Sequence, residues 1–224
     1  MSEQVTNNEN YGDIKPAKFF DFSYFFYDFV KITGIPGLLL YRPKLIYENE
    51  NAKAKIKGGA LLISNHVGFS DPIYLMVTIW YRRHHFICIK DFFENPKSRF
   101  WFKQFHCIPI DRENFGVNTF KLIIEHLKAG HLVSMFPEGH ITEEEGNAMN
   151  SFKSGLILMA LKSKKPVIPV YFAKRPHWYS RLKVVIGEPV DVVKMYGDKP
   201  KFSQIDEASK ILFDKEKNLE KLCI

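Results

Sequence analysis

Six short apolar runs recur along the chain, at residues 60–64, 85–89, 106–110, 131–136, 167–172 and 182–186. Each is aliphatic and β-branched, the composition of strands buried on both faces. Between them lie stretches with helical spacing, at 72–82, 97–104, 117–129, 152–163 and 203–222. In the third of these, Phe120, Ile123, Ile124 and Leu127 share one helical face and Gly130 supplies the stop. The last opens near Ser203, with Asp206 three residues on as a capping box. Strands alternating with helices predict an α/β fold. We expect a single domain with a central, mainly parallel or mixed sheet covered by helices on both faces. Ligands in such sheets gather where the strands end, so the residues just after each run are the ones to read for chemistry.

The bulk properties agree. A chain of 224 residues that is 46% hydrophobic is long and apolar enough to bury one full core, which excludes a disordered protein. The formal charge of +7 favours anionic partners, without choosing among nucleic acid, anionic membrane and acidic carrier protein. The basic residues are dispersed and no nucleic-acid module appears, so no nucleic-acid partner is expected. Cys88, Cys107 and Cys223 have neither metal-ligand nor disulfide-framework spacing, which fits a reducing compartment, and the first two read as inert core thiols.

No cleavable signal peptide is visible, and residues 1–15 read as a loose polar terminus. The chain then becomes aromatic, with Phe19, Phe20, Phe22, Tyr24, Phe25, Phe26 and Phe29. Asp21, Asp28, Lys31 and the Pro36-Gly37 pair interrupt it. A membrane span needs about twenty nearly uncharged residues, which this segment lacks. The expectation is an amphipathic helical segment docking on a membrane surface within residues 1–42, ahead of a catalytic domain at 43–224. Lys15, Lys18, Lys31, Arg42 and Lys44 would lie near anionic head groups. Packing of the same segment on the protein's own core is the competing reading.

After the first strand comes Asn65-His66-Val67-Gly68-Phe69-Ser70-Asp71-Pro72. Histidine accepts a proton near neutrality, and an aspartate within reach fixes its tautomer and stabilises the imidazolium. The same residues also read as a capped helix start, with Ser70 or Asp71 as N-cap and Pro72 in the first turn. Three further runs fall at strand ends. They are Cys107-Ile108-Pro109-Ile110-Asp111-Arg112, Phe136-Pro137-Glu138-Gly139-His140-Ile141-Thr142 and Val167-Ile168-Pro169-Val170.

In this order the four blocks resemble the glycerolipid acyltransferases of the 1-acylglycerol-3-phosphate acyltransferase family, and Phe152-Lys153-Ser154-Gly155 resembles that family's Phe-Lys-x-Gly. The resemblance covers about residues 58–190. It implies an O-acyltransferase of phospholipid biosynthesis. Such an enzyme would be peripheral at the cytoplasmic membrane face, would take acyl-CoA or acyl carrier protein as co-substrate, and would need no cofactor and no metal. It implies His66 as general base and Asp71 as its orienting partner, roles the residues suggest by themselves. No Gly-x-Ser-x-Gly elbow occurs, so direct attack on the thioester is expected in place of an acyl-enzyme. Backbone amides near Val67 and Gly68, beside Asn65, are candidates for oxyanion stabilisation or support. The resemblance assigns Glu138 and Gly139 to acceptor binding, against a solvated turn. Arg112 suits bidentate phosphate binding, or an ion pair with a nearby acid. Lys153 offers a point charge, or is a solvated helix-start lysine.

One departure matters. The family's third block reads Glu-Gly-Thr-Arg, and here the last two positions are His140 and Ile141. Isoleucine cannot pair with phosphate, which leaves room for a non-phosphatidate acceptor such as an amino-acid lipid or glycolipid, or for a weakly catalytic lipid-binding relative. The remaining histidines lack acidic partners at useful spacing. His84 and His85 should point apart on a strand, so a shared metal is not expected there.

Overall fold

The computed structural model describes residues 14–18, 21–38, 43–68, 70–111, 116–137, 146–173 and 181–223, with backbone alone for 35–38 and 146–154. Its strands are β1 (Lys44–Tyr47), β2 (Ala60–Ser64), β3 (His84–Ile89), β4 (Ile108–Ile110), β5 (Leu132–Met135), β6 (Val167–Phe172) and β7 (Lys183–Ile186). The helices are α1 (Phe25–Leu38), α2 (Asp71–Thr78), α3 (Pro96–Gln104), α4 (Val117–Lys128), α5 (Gly146–Ser163), α6 (Val192–Tyr196) and α7 (Phe202–Leu219). Among the described residues the strands form one sheet in the order β1-β7-β6-β2-β5-β3-β4. All neighbours are parallel except the antiparallel pair β6–β7.

Strand β2 is central, and every one of its residues is buried. Leu61 and Ile63 point to one face, where α4, α5 and α7 contribute Ile123, Leu127, Leu156 and Leu212. Ala60 and Leu62 point to the other, against Tyr74 and Leu75 of α2. A strand covered on both faces must be apolar at every position, which is why its sequence does not alternate. At Gly59 a Cβ would lie 1.9 Å from the Leu127 carbonyl oxygen, so the end of α4 crosses the entrance of β2 where glycine alone fits.

All six expected strands and all five expected helices are present, with ends moved by a few residues. The chief shifts are α2, which stops at Thr78, and α5, which starts at Gly146. Strand β1 and helix α6 were not anticipated. Both are short, and β1 opens on an exposed lysine at the sheet edge. The expected Ser203–Asp206 capping box is corrected. Helix α7 is capped two residues earlier, with Gln204 Oε1 accepting from the Lys201 amide at 2.7 Å.

The aromatic N-terminal segment forms a 3₁₀ turn at Phe22–Tyr24 that runs into α1. Tyr24 and Tyr27 face the body and are buried, while Phe22 (88% exposed), Phe25, Phe29 and Ile32 face outward. The charges that argued against a membrane span hold this segment in place. Asp21 Oδ1 accepts from the Ser23 amide at 2.9 Å. Asp28 Oδ1 accepts from Arg83 Nε at 2.9 Å, and Lys31 Nζ donates to the Arg82 carbonyl at 2.9 Å. Among the described residues no helix is long and apolar enough to cross a membrane.

Candidate active site

The site is built where β2 ends. Asn65 follows the last strand residue, and its amide pairs with the backbone of Phe172 at the end of β6, accepting from the Phe172 N–H at 2.7 Å and donating to its carbonyl at 2.9 Å. This bridge fixes the exit of β2 and aims His66 outward. The chain then turns back so that the Asp71 amide donates to the Gly68 carbonyl at 3.0 Å, and Asp71 opens α2.

One oxygen organises the turn. Asp71 Oδ2 accepts from His66 Nδ1 at 2.8 Å, from the Val67 amide at 2.7 Å and from the Gly68 amide at 2.8 Å. Its side chain is 5% exposed, whereas that of His66 is 33% exposed. The first turn of a helix also favours a negative charge. An ionised carboxylate only accepts, so His66 carries its proton on Nδ1 and presents the lone pair of Nε2. The ring stacks on Phe136, just beyond β5, at 4.6 Å between centroids. That contact was not anticipated, though Phe136 opens the third sequence block.

Of the expected site residues, the structure brings together Asn65, His66, Gly68 and Asp71. It reassigns one role. The amides of Val67 and Gly68 are engaged by Asp71, so they hold the carboxylate and do not point at an oxyanion. Asn65 is likewise committed to Phe172 and acts as support. The helix-start reading holds in position, with Pro72 in the first turn. Ser70 occupies the N-cap position without a capping side-chain bond, and the aspartate serves His66 and the preceding turn. Arg112, Glu138 and Gly139, with His140 and Ile141, lie outside the described residues. Lys153 falls in α5, where the backbone alone is described. At the same end of the sheet, Lys90 just beyond β3 pairs with Asp111 just beyond β4 at 2.6 Å. Ser64 Oγ donates to the Asn65 carbonyl at 3.1 Å and is buried, which suits no nucleophile. The Cys107 thiol is pushed up by its hydrogen bond to Cys88 and by burial, in keeping with an unreactive pair.

The fold and this pair define a class: an α/β protein that holds a histidine against an aspartate at the ends of its parallel strands. The family model described as Acyltransferase matches residues 44–173, and the chain belongs to that family and is an O-acyltransferase. It is 31% identical over 150 residues to the 1-acyl-sn-glycerol-3-phosphate acyltransferase of Bacillus subtilis (strain 168), covering 65% of this chain and 72% of that one. It is 25% identical over 205 residues to the enzyme of the same name from Streptococcus pneumoniae (strain ATCC BAA-255 / R6), covering 83% and 75%. The crystal structure of the 1-acyl-sn-glycerophosphate (LPA) acyltransferase PlsC from Thermotoga maritima superposes with a TM-score of 0.59 at 18% identity, over 89% of this chain and 80% of that one. That likeness shows the fold.

Proposed function

We propose that this enzyme transfers a fatty acyl group from a thioester, acyl-CoA or acyl carrier protein, to the free hydroxyl of 1-acylglycerol 3-phosphate at a membrane surface. The observation that carries the reading is the oxygen of Asp71 shared by His66 and two backbone amides. It holds the imidazole in the tautomer a general base needs before substrate arrives. The names of the relatives support the acceptor.

The step balances as follows. His66 Nε2 takes the proton of the acceptor hydroxyl as that oxygen attacks the thioester carbonyl. The tetrahedral intermediate expels the thiolate, and the imidazolium returns the proton to sulfur. The products are an ester and a free thiol. Asp71 stabilises the imidazolium that exists between the two transfers.

The outward row Phe22, Phe25, Phe29 and Ile32, with exposed Phe100 and Trp101 of α3 beside Phe26, suits insertion into the boundary between head groups and acyl chains. Since both donors are cytoplasmic thioesters, the docked face is the cytoplasmic one. His140 and Ile141, at the positions of the family's threonine and arginine, favour a second reading in which the acceptor lacks the phosphate. The test is acyl transfer in lipid vesicles with labelled palmitoyl-CoA or palmitoyl carrier protein. The acceptors are lysophosphatidic acid, glycerol 3-phosphate, other lysophospholipids and lyso-amino-acid lipids. Product from lysophosphatidic acid supports the proposal. Product from a phosphate-free acceptor alone overturns the choice of acceptor, and no product from any pair overturns the reading.

A further inference from the structure

At the opposite end of the sheet from His66, the fold assembles imidazoles that the spacing gave no reason to connect. His85 is the second residue of β3, His126 lies in the last turn of α4, and His131 immediately precedes β5. Each offers one ring nitrogen, and those three atoms all lie within 4.8 Å of one another. His84 and His85 do diverge, His84 Nδ1 meeting Ser134 Oγ at 2.8 Å, but His85 finds its partners on other elements. We propose that His85, His126 and His131 form a binding site for a divalent transition-metal ion of the zinc type.

Backbone geometry builds the site. Helix α4 ends in a Schellman turn, with Gly130 at φ 92°, the His131 amide donating to the His126 carbonyl at 3.0 Å and the Gly130 amide donating to the Leu127 carbonyl at 3.1 Å. The turn superimposes two histidines five residues apart, so that His126 Nδ1 faces His131 Nδ1 at 2.9 Å. Parallel pairing of β3 with β5 then sets His85 beside them, its ring stacked on that of His131 at 4.4 Å between centroids.

Hydrogen bonds on the outer side leave a lone pair on two of the rings, while His126 Nδ1 donates to His131 Nδ1 and would release that proton to bind an ion. His85 Nδ1 lies 3.2 Å from the His106 carbonyl, to which it donates, leaving Nε2 as an acceptor. The His131 ring bonds the Lys15 carbonyl as well as facing His126, which puts its N–H outward and Nδ1 inward. Ligating histidines characteristically donate their second N–H to a backbone carbonyl in this way. The Tyr24 hydroxyl lies 3.0 Å from His85 Nε2 and would have to yield that lone pair to an ion.

The chemistry of the donor set selects the ion. Three imidazoles suit zinc, copper, nickel or ferrous iron and reject calcium and magnesium, which take oxygen. Zinc–nitrogen bonds of about 2.0–2.1 Å put tetrahedral ligand atoms about 3.3 Å apart, so the stacked His85 and His131 rings have to turn and the three nitrogens draw together for an ion to bind. Burial, with neighbouring cations and histidines adding to it, pushes His126 and His131 down to about 4. The rings are therefore neutral at physiological pH, the form that binds metal. A bound ion would join β3, the end of α4 and the start of β5.

The experiment uses the full chain stripped with a chelator. Equilibrium dialysis against Zn²⁺ and titration with Co²⁺ give stoichiometry and ligand type. His126→Ala and His131→Ala are tested alongside, after their metal-free melting curves show that they fold. His66→Ala controls for adventitious histidine binding. The expected result is one equivalent of ion, a visible Co²⁺ spectrum without a thiolate charge-transfer band, and affinity at least a hundredfold weaker in both cluster variants, with His66→Ala unaffected. Less than one equivalent on the wild-type chain overturns the proposal whatever the variants do. So does binding that His126→Ala and His131→Ala leave unchanged, or a thiolate band that assigns the ion to Cys88 and Cys107.

Discussion

Asp71→Asn isolates the charge from the geometry. The two backbone amides of Val67 and Gly68 need an acceptor where Oδ2 now sits. They therefore orient the asparagine so that its carbonyl oxygen takes that place. His66 can still donate to that oxygen, and the tautomer survives. What disappears is the negative charge opposite the imidazolium. A pair of unit charges about 4 Å apart is worth about 4 kcal/mol at an effective dielectric of about 20. The His66 side chain is one-third exposed, at 33%, so solvent screening lowers this to roughly 2–3 kcal/mol. At about 1.4 kcal/mol per decade that is about a hundredfold in kcat. The imidazolium exists only during the reaction, so KM should hold within about threefold. Asp71→Ala also takes the acceptor from two N–H groups in a part-buried turn, at about 0.5–1.5 kcal/mol each. It should lose about 1–3 kcal/mol of folding stability, which the asparagine variant keeps. Steady-state acyl transfer and urea unfolding on both variants make the comparison. An Asp71→Asn enzyme within threefold of wild-type kcat refutes the charge argument, and a stable Asp71→Ala refutes the assignment of the two amides.

Three further outcomes are expected. Burial foremost pushes His84 down to about 3 and His126 and His131 to about 4, against about 6.5 in the unfolded chain. The unfolded state therefore binds more protons between these limits. Stability, complete above pH 6.5, should fall by up to about 1.4 kcal/mol per pH unit for each histidine as pH drops toward 4. Urea midpoints in chelator at pH 7 and pH 5 check this, and a flat profile contradicts it. Gly59→Ala drives a methyl into the Leu127 carbonyl and should cost about 2–4 kcal/mol, read as a lowered melting temperature. The triple change Phe22→Ser, Phe25→Ser and Phe29→Ser removes outward rings while Tyr24 and Tyr27 stay buried. It should weaken vesicle binding at least tenfold with little loss of stability, and unchanged sedimentation with vesicles sinks the docking face.

Much of this was legible because the buried strands carry their signal locally. Leu61, Leu62 and Ile63 have to be apolar on both faces, and Phe120, Ile123, Ile124 and Leu127 repeat at helical spacing. Strand β1 was not legible, since Lys44–Tyr47 is an edge strand that gains its partner from β7, far along the chain. The His66–Asp71 contact spans five residues and was readable as spacing. The third and fourth donors or acceptors around it were not. Nothing local says that Asp71 takes the Val67 and Gly68 amides, or that Asn65 reaches Phe172 across the sheet. The histidine cluster failed to show for the same reason. His85 and His126 meet only because β3 pairs with β5 and α4 ends in a tight turn.

The central claim is that His66 takes the proton. Its most direct measurement is the single-turnover rate of labelled palmitoyl transfer to lysophosphatidic acid in vesicles, wild type beside His66→Ala, with both proteins shown to fold and to bind the vesicles. The account predicts a loss of at least about a thousandfold in the alanine variant, within the range general bases supply. A variant that turns over within tenfold of wild type, equally folded and equally bound, contradicts it.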